Sequence, residues 1–448
     1  MTQTDRNEDA ALQDAASNGD SVPMAAGAGD TAAPNANAAP ISIDGAASDN
    51  VYAQARSRAH RRMPGGQALF AMGVTLVVIY IVALIIPKGI VPTIYYQSSN
   101  GYNLSWFIVD LQTNLNGLMA VFTNTDTGPT SYMPYVIRYL MVPLAGAGLA
   151  LCGAVYQGTF RNALVTPSTL GVMSGAQLGM AVYVIVFVAN GFSSTELLMG
   201  NQGSTALANV NMFGAIFNSF GYAITSFIGC LLVVGVVLGT MRFISAGSNG
   251  IAMIICGQMI AGVVGAVIGI AQYYYMATDP GGTVANALRE LMVMSFYRNY
   301  GVVDVLIVVI PFVVTLAVML RLAGRMQLLA FDDAEVRTMG VDVKRMRVVT
   351  VALTTLLTAI IVSFCGMVGF VGFLVPHLAR RIVGPNFKVL LPASALMGAI
   401  FVLTAYMLLA VIVGSGMEQL VGIFISVLGG FVFVGTVLRG GAARGGFR

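Results

Sequence analysis

Ten continuous apolar segments constrain this chain more than any other feature. They run at roughly 68–87, 135–157, 168–189, 213–241, 251–276, 302–321, 347–367, 370–382, 391–413 and 420–438. A helix needs about 20 apolar residues to cross a hydrocarbon core, and all but the short eighth segment approach or exceed that length. Apolar residues are continuous rather than alternating, which excludes the strands of a transmembrane barrel. With 57% hydrophobic residues, 9% charged ones and a mean hydropathy of +0.80, the chain reads as an all-α polytopic membrane protein of about ten transmembrane helices, and not as a soluble enzyme.

Residues 1–63 are different material, rich in Ala, Asn, Asp, Gly and Ser with almost no large apolar side chain. Such a segment cannot bury enough apolar surface to order itself, so a disordered tail is expected. It has no short basic start followed by an apolar core and a cleavage site, so a signal peptide is not expected. The tail turns basic at Arg56, Arg58, Arg61 and Arg62, just before the first span. Residues 64–448 are expected to form one transmembrane domain.

The positive-inside rule assigns an orientation. Of the 23 Lys and Arg, Lys88, Arg138, Arg289 and Arg298 fall outside if the N-terminus is cytoplasmic; the other nineteen fall inside. Ten spans with both termini in the cytoplasm is the arrangement this supports. Trp106 and the pair Tyr95–Tyr96 then sit in the first external loop, where aromatic side chains anchor at the interface. Tyr273, Tyr274 and Tyr275 fit the same belt, with stacking on a flat cargo as the alternative.

All nineteen acids lie in the tail, in loops or at span edges. Proton- and sodium-coupled carriers need a titratable or anionic partner within the membrane, so their absence weighs against an ion-coupled secondary transporter of a small organic solute. A polar catalytic cluster among the spans is missing too, which weighs against a membrane enzyme. The chain also lacks the GxxxxGK[ST] phosphate loop, and its lysines Lys88, Lys344 and Lys388 lie in no such context. Any nucleotide that drives it is bound by a partner. Cys152, Cys230, Cys256 and Cys365 stand singly in apolar segments and read as small core side chains rather than disulfides or a metal site.

Three blocks depart from plain membrane hydrophobicity. The first, Gly153 to Gly175, reads GAVYQGTFRNALVTPSTLGVMSG. It places Gln157, Arg161, Asn162, Thr166, Pro167 and Ser168 among glycines at the ends of two spans. Irregular polar backbone is tolerated at membrane depth only where protein or a water-filled cavity covers it, so the block suggests a pathway or gate. A packing corner without cargo contact fits the same residues. The second block, LLAFDDAEVRTMGV at Leu328–Val341, is a short polar helix candidate with acids in its first turn, where the helix dipole favours them. A solvated charged loop is its plainer reading. The third runs GMVGFVGFLVPHLARR from Gly366, then Gly384-Pro385 and Leu391-Pro392-Ala393-Ser394-Ala395. Its glycines permit a tight reversal between close-packed spans, and Pro376 is expected to break the short eighth one. His377, beside Arg380 and Arg381 at a helix end, reads as a structural hydrogen-bonding group.

Together the blocks resemble the permease subunits of type II ABC importers, the BtuC-like group that takes up iron–siderophores, haem and vitamin B12. That family's QGxxRNPLAxPxxLGxxSGAxLG is matched by Gln157-Gly158, Arg161-Asn162, Leu164, Pro167, Leu170-Gly171, Ser174-Gly175-Ala176 and Leu178-Gly179, with Ala163 at the family proline. Its GxxGFVGLxxPHxAR is matched by Gly366, Gly369, Gly372, Pro376, His377 and Arg380. Leu328–Val341 resembles the family's cytoplasmic L-A-L-G-E-E-x-A-x-x-L-G-V element, with Phe331 in place of its Gly and Asp332-Asp333 as its acidic pair. Ile255-Cys256-Gly257 and Leu291 to Phe296 are weaker echoes. The resemblance covers about 68–438 and implies the BtuC-like bundle.

It further implies that Gln157, Asn162, Leu164, Pro167 and Ser174 lie near the inner gate of a pathway. Asp332, Asp333, Glu335, Arg337 and Gly340, within an element at about 328–344, would couple to an ABC ATPase subunit that holds ATP and Mg; the chain itself would bind no cofactor and no metal. Outer arginines of the family pair with an extracytoplasmic substrate-binding protein. Of its RLPR only Arg138 remains in Tyr135-Val136-Ile137-Arg138, and the later arginine is Val411, ahead of Glu418-Gln419-Leu420-Val421-Gly422. Arg138 and Glu418 are thus the docking candidates, with Arg289 or Arg298 as substitutes. A second permease copy or paralogue completes the pathway, in the cell membrane of a prokaryote; membrane lipid is the only other partner expected, and nucleic acid is not one.

Overall fold

The computed structural model describes residues 65–85, 105–123, 133–189, 212–243, 250–279, 283–293, 295–296, 300–329, 331, 333–413 and 420–431. The expected tail, Tyr95–Tyr96, Arg298 and Glu418 lie outside them, as do Asp332 and the side chains of Trp106 and Asp333. Thirteen helices are described: α1 (Gly65–Ile85), α2 (Ser105–Phe122), α3 (Met133–Thr159), α4 (Val172–Ala189), α5 (Met212–Phe243), α6 (Gly250–Thr278), α7 (Thr283–Val293), α8 (Val302–Leu328), α9 (Asp333–Thr338), α10 (Val343–Cys365), α11 (Val371–Val383), α12 (Phe387–Val413) and α13 (Val421–Phe431). Each of the ten expected segments coincides with one of these. Within α1, α3, α5, α6, α8, α10 and α12 lie the seven stretches long and apolar enough to cross a membrane; α4 and α13 hold shorter apolar ones.

Three elements fall where no span was read: α2 in the expected external loop, and the short α7 and α9. The eighth span also differs from expectation. Pro376 lies inside α11 and does not end it. At the other extreme, α8 continues past the apolar segment to Leu328 and carries Arg321 and Arg325 on its last turns. Its 27 residues reach about 40 Å at 1.5 Å per residue, beyond a core of about 30 Å. Hydropathy stops at the membrane edge, but helical hydrogen bonding does not.

The helix at the centre is α3, packed against α8, α10, α11 and α12, with its residues from Met141 to Gln157 almost wholly buried. Lipid tails are as apolar as leucine, so close backbone packing, not a hydrophobic drive, must hold such helices together. The sequence PLAGAGLALCGAVYQG supplies the small residues. A Cβ on Gly146 would overlap the carbonyl oxygen of Gly398 in α12, and one on Gly153 would overlap that of Gly372 in α11. In the same way Gly175 and Gly179, spaced GxxxG on α4, lie on the backbone of α5 around Gly229 and Thr225. Apolar side chains of α1 and α6 such as Phe70, Val78, Met259 and Val263 stand exposed, the faces a bilayer would cover.

The acids serve helix starts. Asp304 is the buried acid among the described residues, and its Oδ2 accepts from Gly301 N at 2.9 Å, at the beginning of α8. Asp279 Oδ2 accepts from Val284 N in the first turn of α7, at 3.0 Å. Carboxylates are stabilised there by unpaired N–H groups and the helix dipole.

Candidate functional site: three sequence blocks meet at one end of the bundle

Residues of the first polar block meet residues of the second and third, more than 160 positions further along the chain, where α3, α8, α10 and α11 share one end. The first block leaves α3 at Thr159 and folds back on itself before α4. Arg161 takes a left-handed backbone (φ 52°), uncommon for a residue with a Cβ. Its Nε donates to the carbonyl of Leu329, capping the C-terminal end of α8, where carbonyls lack helical partners. That bond ties the first block to the second.

Beyond Arg161 the link is built from local side-chain turns. Asn162 Oδ1 accepts from Leu164 N at 2.9 Å, an Asx turn that leaves Leu164 exposed at the tip. Thr166 and Thr169 then cap each other: Thr169 N donates to Thr166 Oγ1 at 3.1 Å and Thr166 N to Thr169 Oγ1 at 2.8 Å, the reciprocal logic of a capping box. Pro167 is buried and lies beside Gly372 of the third block. Gly171, at φ +73°, makes the final reversal into α4, a conformation glycine adopts without steric cost. Ser174 is buried with its hydroxyl donating to Gly171 O at 2.9 Å. So the irregular backbone is covered by protein, and the tip from Arg161 to Leu164 is its solvent-facing part.

Gln157 is 3% exposed. Its Oε1 accepts from Arg380 at 2.6 Å, and its Nε2 donates to the carbonyls of Gly372 and Phe373, each at 3.3 Å. The amide can sit only this way round, because a guanidinium only donates and carbonyls only accept. His377 lies on the same helix, its Nε2 3.1 Å from the Arg381 guanidinium, so Nε2 is the acceptor there. Gly369 lies against Ser426 of α13. The first and third blocks therefore pack as one unit.

The second block forms α9 and its cap. Val341 N donates to Val336 O at 3.3 Å and Gly340 N to Arg337 O at 3.0 Å, with Gly340 at φ +79°. These are the two bonds of a Schellman motif, and Val336 is wholly buried beneath it. Asp342 then caps α10, accepting from Arg345 N at 3.0 Å. Around this anchored turn Phe331, Glu335, Arg337, Thr338 and Met339 are exposed, offering a mixed apolar and charged face beyond the end of α8.

Arg138 and Arg289 belong to the opposite end. Arg138 is in the first turns of α3, where Tyr135 donates to Ala83 O at the end of α1 at 3.3 Å, and Arg289 lies on α7, which leads to Ser295 and its bond to Met367 O at 2.9 Å. Tyr273 to Tyr275 lie toward that end of α6, Tyr273 and Tyr274 exposed.

Sequence reasoning overlooked a hydroxyl seam between α3 and α10. Tyr156 Oη and Thr355 Oγ1 are 2.8 Å apart, and Thr159 Oγ1 donates to Thr350 Oγ1 at 3.2 Å. Along α10, Thr354 and Thr358 donate back to the carbonyls of Thr350 and Thr354. The signal was present: Thr350, Thr354 and Thr358 recur every four residues inside an apolar segment, one face of a helix.

Residues 101–439 match the FecCD transport family. The molybdate import system permease protein MolB of Haemophilus influenzae is 30% identical over 268 residues, covering 59% of this chain and 68% of that one. The cobalamin import system permease protein BtuC of Halobacterium salinarum is 30% identical over 302 residues, 66% of this chain and 70% of that one. The hemin transport system permease protein HmuU of Yersinia pestis is 29% identical over 312 residues, 69% and 83% of the two chains. In fold, the chain is similar to a solved structure described as an inward-facing conformation of a proposed metal-chelate type ABC transporter, with a TM-score of 0.60 and 23% identity over 84% of this chain and 99% of that one. The chain belongs to the FecCD transport family, as a multi-pass permease subunit of the type II ABC importer class, a transport component and not an enzyme.

Proposed function

We propose that this permease carries an iron–siderophore into the cytoplasm, driven by ATP that an ABC ATPase subunit hydrolyses with Mg on the cytoplasmic side. Haem and cobalamin are the next cargoes in order, and the relative named for molybdate import adds an oxyanion to the set that must be compared. Two copies, or this chain with a related permease, enclose the pathway, and an extracytoplasmic binding protein delivers the cargo at the end that carries Arg138. Both termini lie in the cytoplasm, as the distribution of Lys and Arg favours.

The observation that carries this reading is the meeting of the three blocks. The exposed face of α9 is anchored by Val336 to the end of the bundle where Arg161 joins α8 to the link before α4. Closure of paired ATPases against α9 would thus bear on the end of α8 that Arg161 ties to the link, and through Gln157 and Arg380 on α11, the kind of rigid-body movement that alternating access needs. Asn162, Leu164 and the turn around them are the mobile tip of the inner gate in this reading. The described acid that is buried, Asp304, is occupied by a helix start, which agrees with an external energy source rather than a coupling ion.

The test is uptake of labelled iron chelates, haem, cobalamin and molybdate by cells with and without this protein. Loss of iron-chelate uptake alone is the expected outcome; loss of another cargo alone reassigns the substrate. Uptake abolished by a protonophore while ATP is maintained would overturn the ATP-driven reading. At the coupling element, reversing the charges of Asp332 and Asp333 is expected to release the ATPase on co-purification. Retention of the ATPase with transport at the wild-type rate would show that it docks elsewhere.

A further inference from the structure

Pro376 leaves a gap in the hydrogen-bond ladder of α11. In an α-helix the N–H of residue 376 would bond the carbonyl of residue 372, but proline has no N–H. That orphaned carbonyl, Gly372 O, points at α3 and receives Gln157 Nε2 at 3.3 Å. Both positions are buried, so without Gln157 the carbonyl would have lost its donor away from water. Gly153, one helical turn before Gln157 on the same face of α3, is what lets the two backbones come this close. Arg380, two turns along the other helix, closes the arrangement on Gln157 Oε1 at 2.6 Å. One amide thereby repairs a proline defect and is clamped by a guanidinium of the helix it repairs.

We propose that Gln157 is a positioning residue: with Arg380 and the Gly372 carbonyl it latches α11 to α3, so that both follow the coupling element together and inward movement of cargo stays tied to ATP hydrolysis. Gln157 is by this account no cargo contact. The functional half of the inference rests on the permease reading above; the latch itself does not.

The test exploits the proline. Gln157→Glu keeps an acceptor for Arg380 but sets a carboxylate against two carbonyls. Pro376→Ala restores a backbone N–H for Gly372 O, so that this carbonyl no longer depends on the donor arm of Gln157. The four combinations are reconstituted in proteoliposomes with the ATPase and binding protein, and cargo imported per ATP hydrolysed is measured well below the unfolding temperature. Gln157→Glu alone is expected to lower that ratio at least fivefold while ATP hydrolysis continues; adding Pro376→Ala is expected to restore at least half of it. A wild-type ratio in Gln157→Glu, or the same loss with and without Pro376→Ala, overturns the latch. Should the glutamate variant not fold, Gln157→Met replaces it; this removes both arms of the amide without adding a charge, so Pro376→Ala is then expected to restore part of the loss, and no restoration overturns the latch. If the wild-type complex shows no ATP-dependent uptake, the permease reading fails, and the thermal midpoints of the four full-length chains in detergent then decide the latch. Non-additive midpoints, with Pro376→Ala relieving Gln157→Glu, support it, and additive ones refute it.

Discussion

At Gly153 a single hydrogen atom decides how near α3 and α11 lie. A methyl group there would meet the Gly372 carbonyl oxygen, a backbone atom that cannot rotate away as a side chain could. Overpacking costs ~1–3 kcal/mol, occasionally more, and Gly153→Ala is expected at or above the upper end. Thr350→Val removes one hydroxyl bond to Thr159 and leaves the shape nearly unchanged; interhelical side-chain hydrogen bonds in membranes average ~0.6 kcal/mol. Thermal unfolding of the purified variants should therefore rank Gly153→Ala far below Thr350→Val and the wild type. The reverse order would mean that the hydroxyl seam, not backbone contact, holds α3 in place. At the opposite end, Arg138→Glu is expected to weaken capture of the binding protein in a salt-sensitive way, as electrostatic steering of an interface rim does. Unchanged capture at low salt removes Arg138 from that role.

Among the elements, α9 is the one whose geometry was least visible beforehand. Its acids and its Gly340 were legible as a polar element between two spans, but six helical residues give no periodicity to read. What stabilises it is tertiary: Val336 in the core and the Schellman bonds at Gly340. Gly340 has open space around it, so Gly340→Ala isolates the cost of the left-handed backbone, about 1–2 kcal/mol. The expected result is a slightly lowered thermal midpoint with a larger loss of ATPase association, because the exposed face of α9 depends on that cap for its orientation. Equal association in the variant and wild type would separate the cap from coupling. The long spans were legible because twenty apolar residues leave little choice. Their ends were not: α8 runs on to Leu328 through Arg321 and Arg325, and α2 shows too mixed a pattern to read as a span. Within the site, Gln157 and Arg380 were both singled out from sequence, yet their partnership depends on which faces of α3 and α11 meet, and no local pattern encodes that.

At the scale of the whole molecule, the candidate site groups among the described residues divide between two ends, while small residues and hydroxyls join α3 to its neighbours between them. Cargo specificity is expected at the Arg138 end and energy input at the α9 end, so a variant should lose one without the other. Gly340→Ala is expected to leave binding-protein capture intact, and Arg138→Glu to leave ATPase association intact; both are read by co-purification from the same membranes. Loss of both partners in either variant would indicate a general folding defect in place of two separable surfaces.

The paired glycines of α3 carry one more consequence. Gly146 and Gly153 press backbone against backbone, on α12 and α11 respectively, and such contacts contain no rotamers to absorb a small displacement. Compliance in this bundle must then reside where side chains, not peptide groups, separate the helices, as between α8 and α10. Under load, α3 should behave as a stiff keel flanked by softer seams, and hydrogen exchange should find its amides, with those of α11 and α12 beside them, the slowest in the molecule.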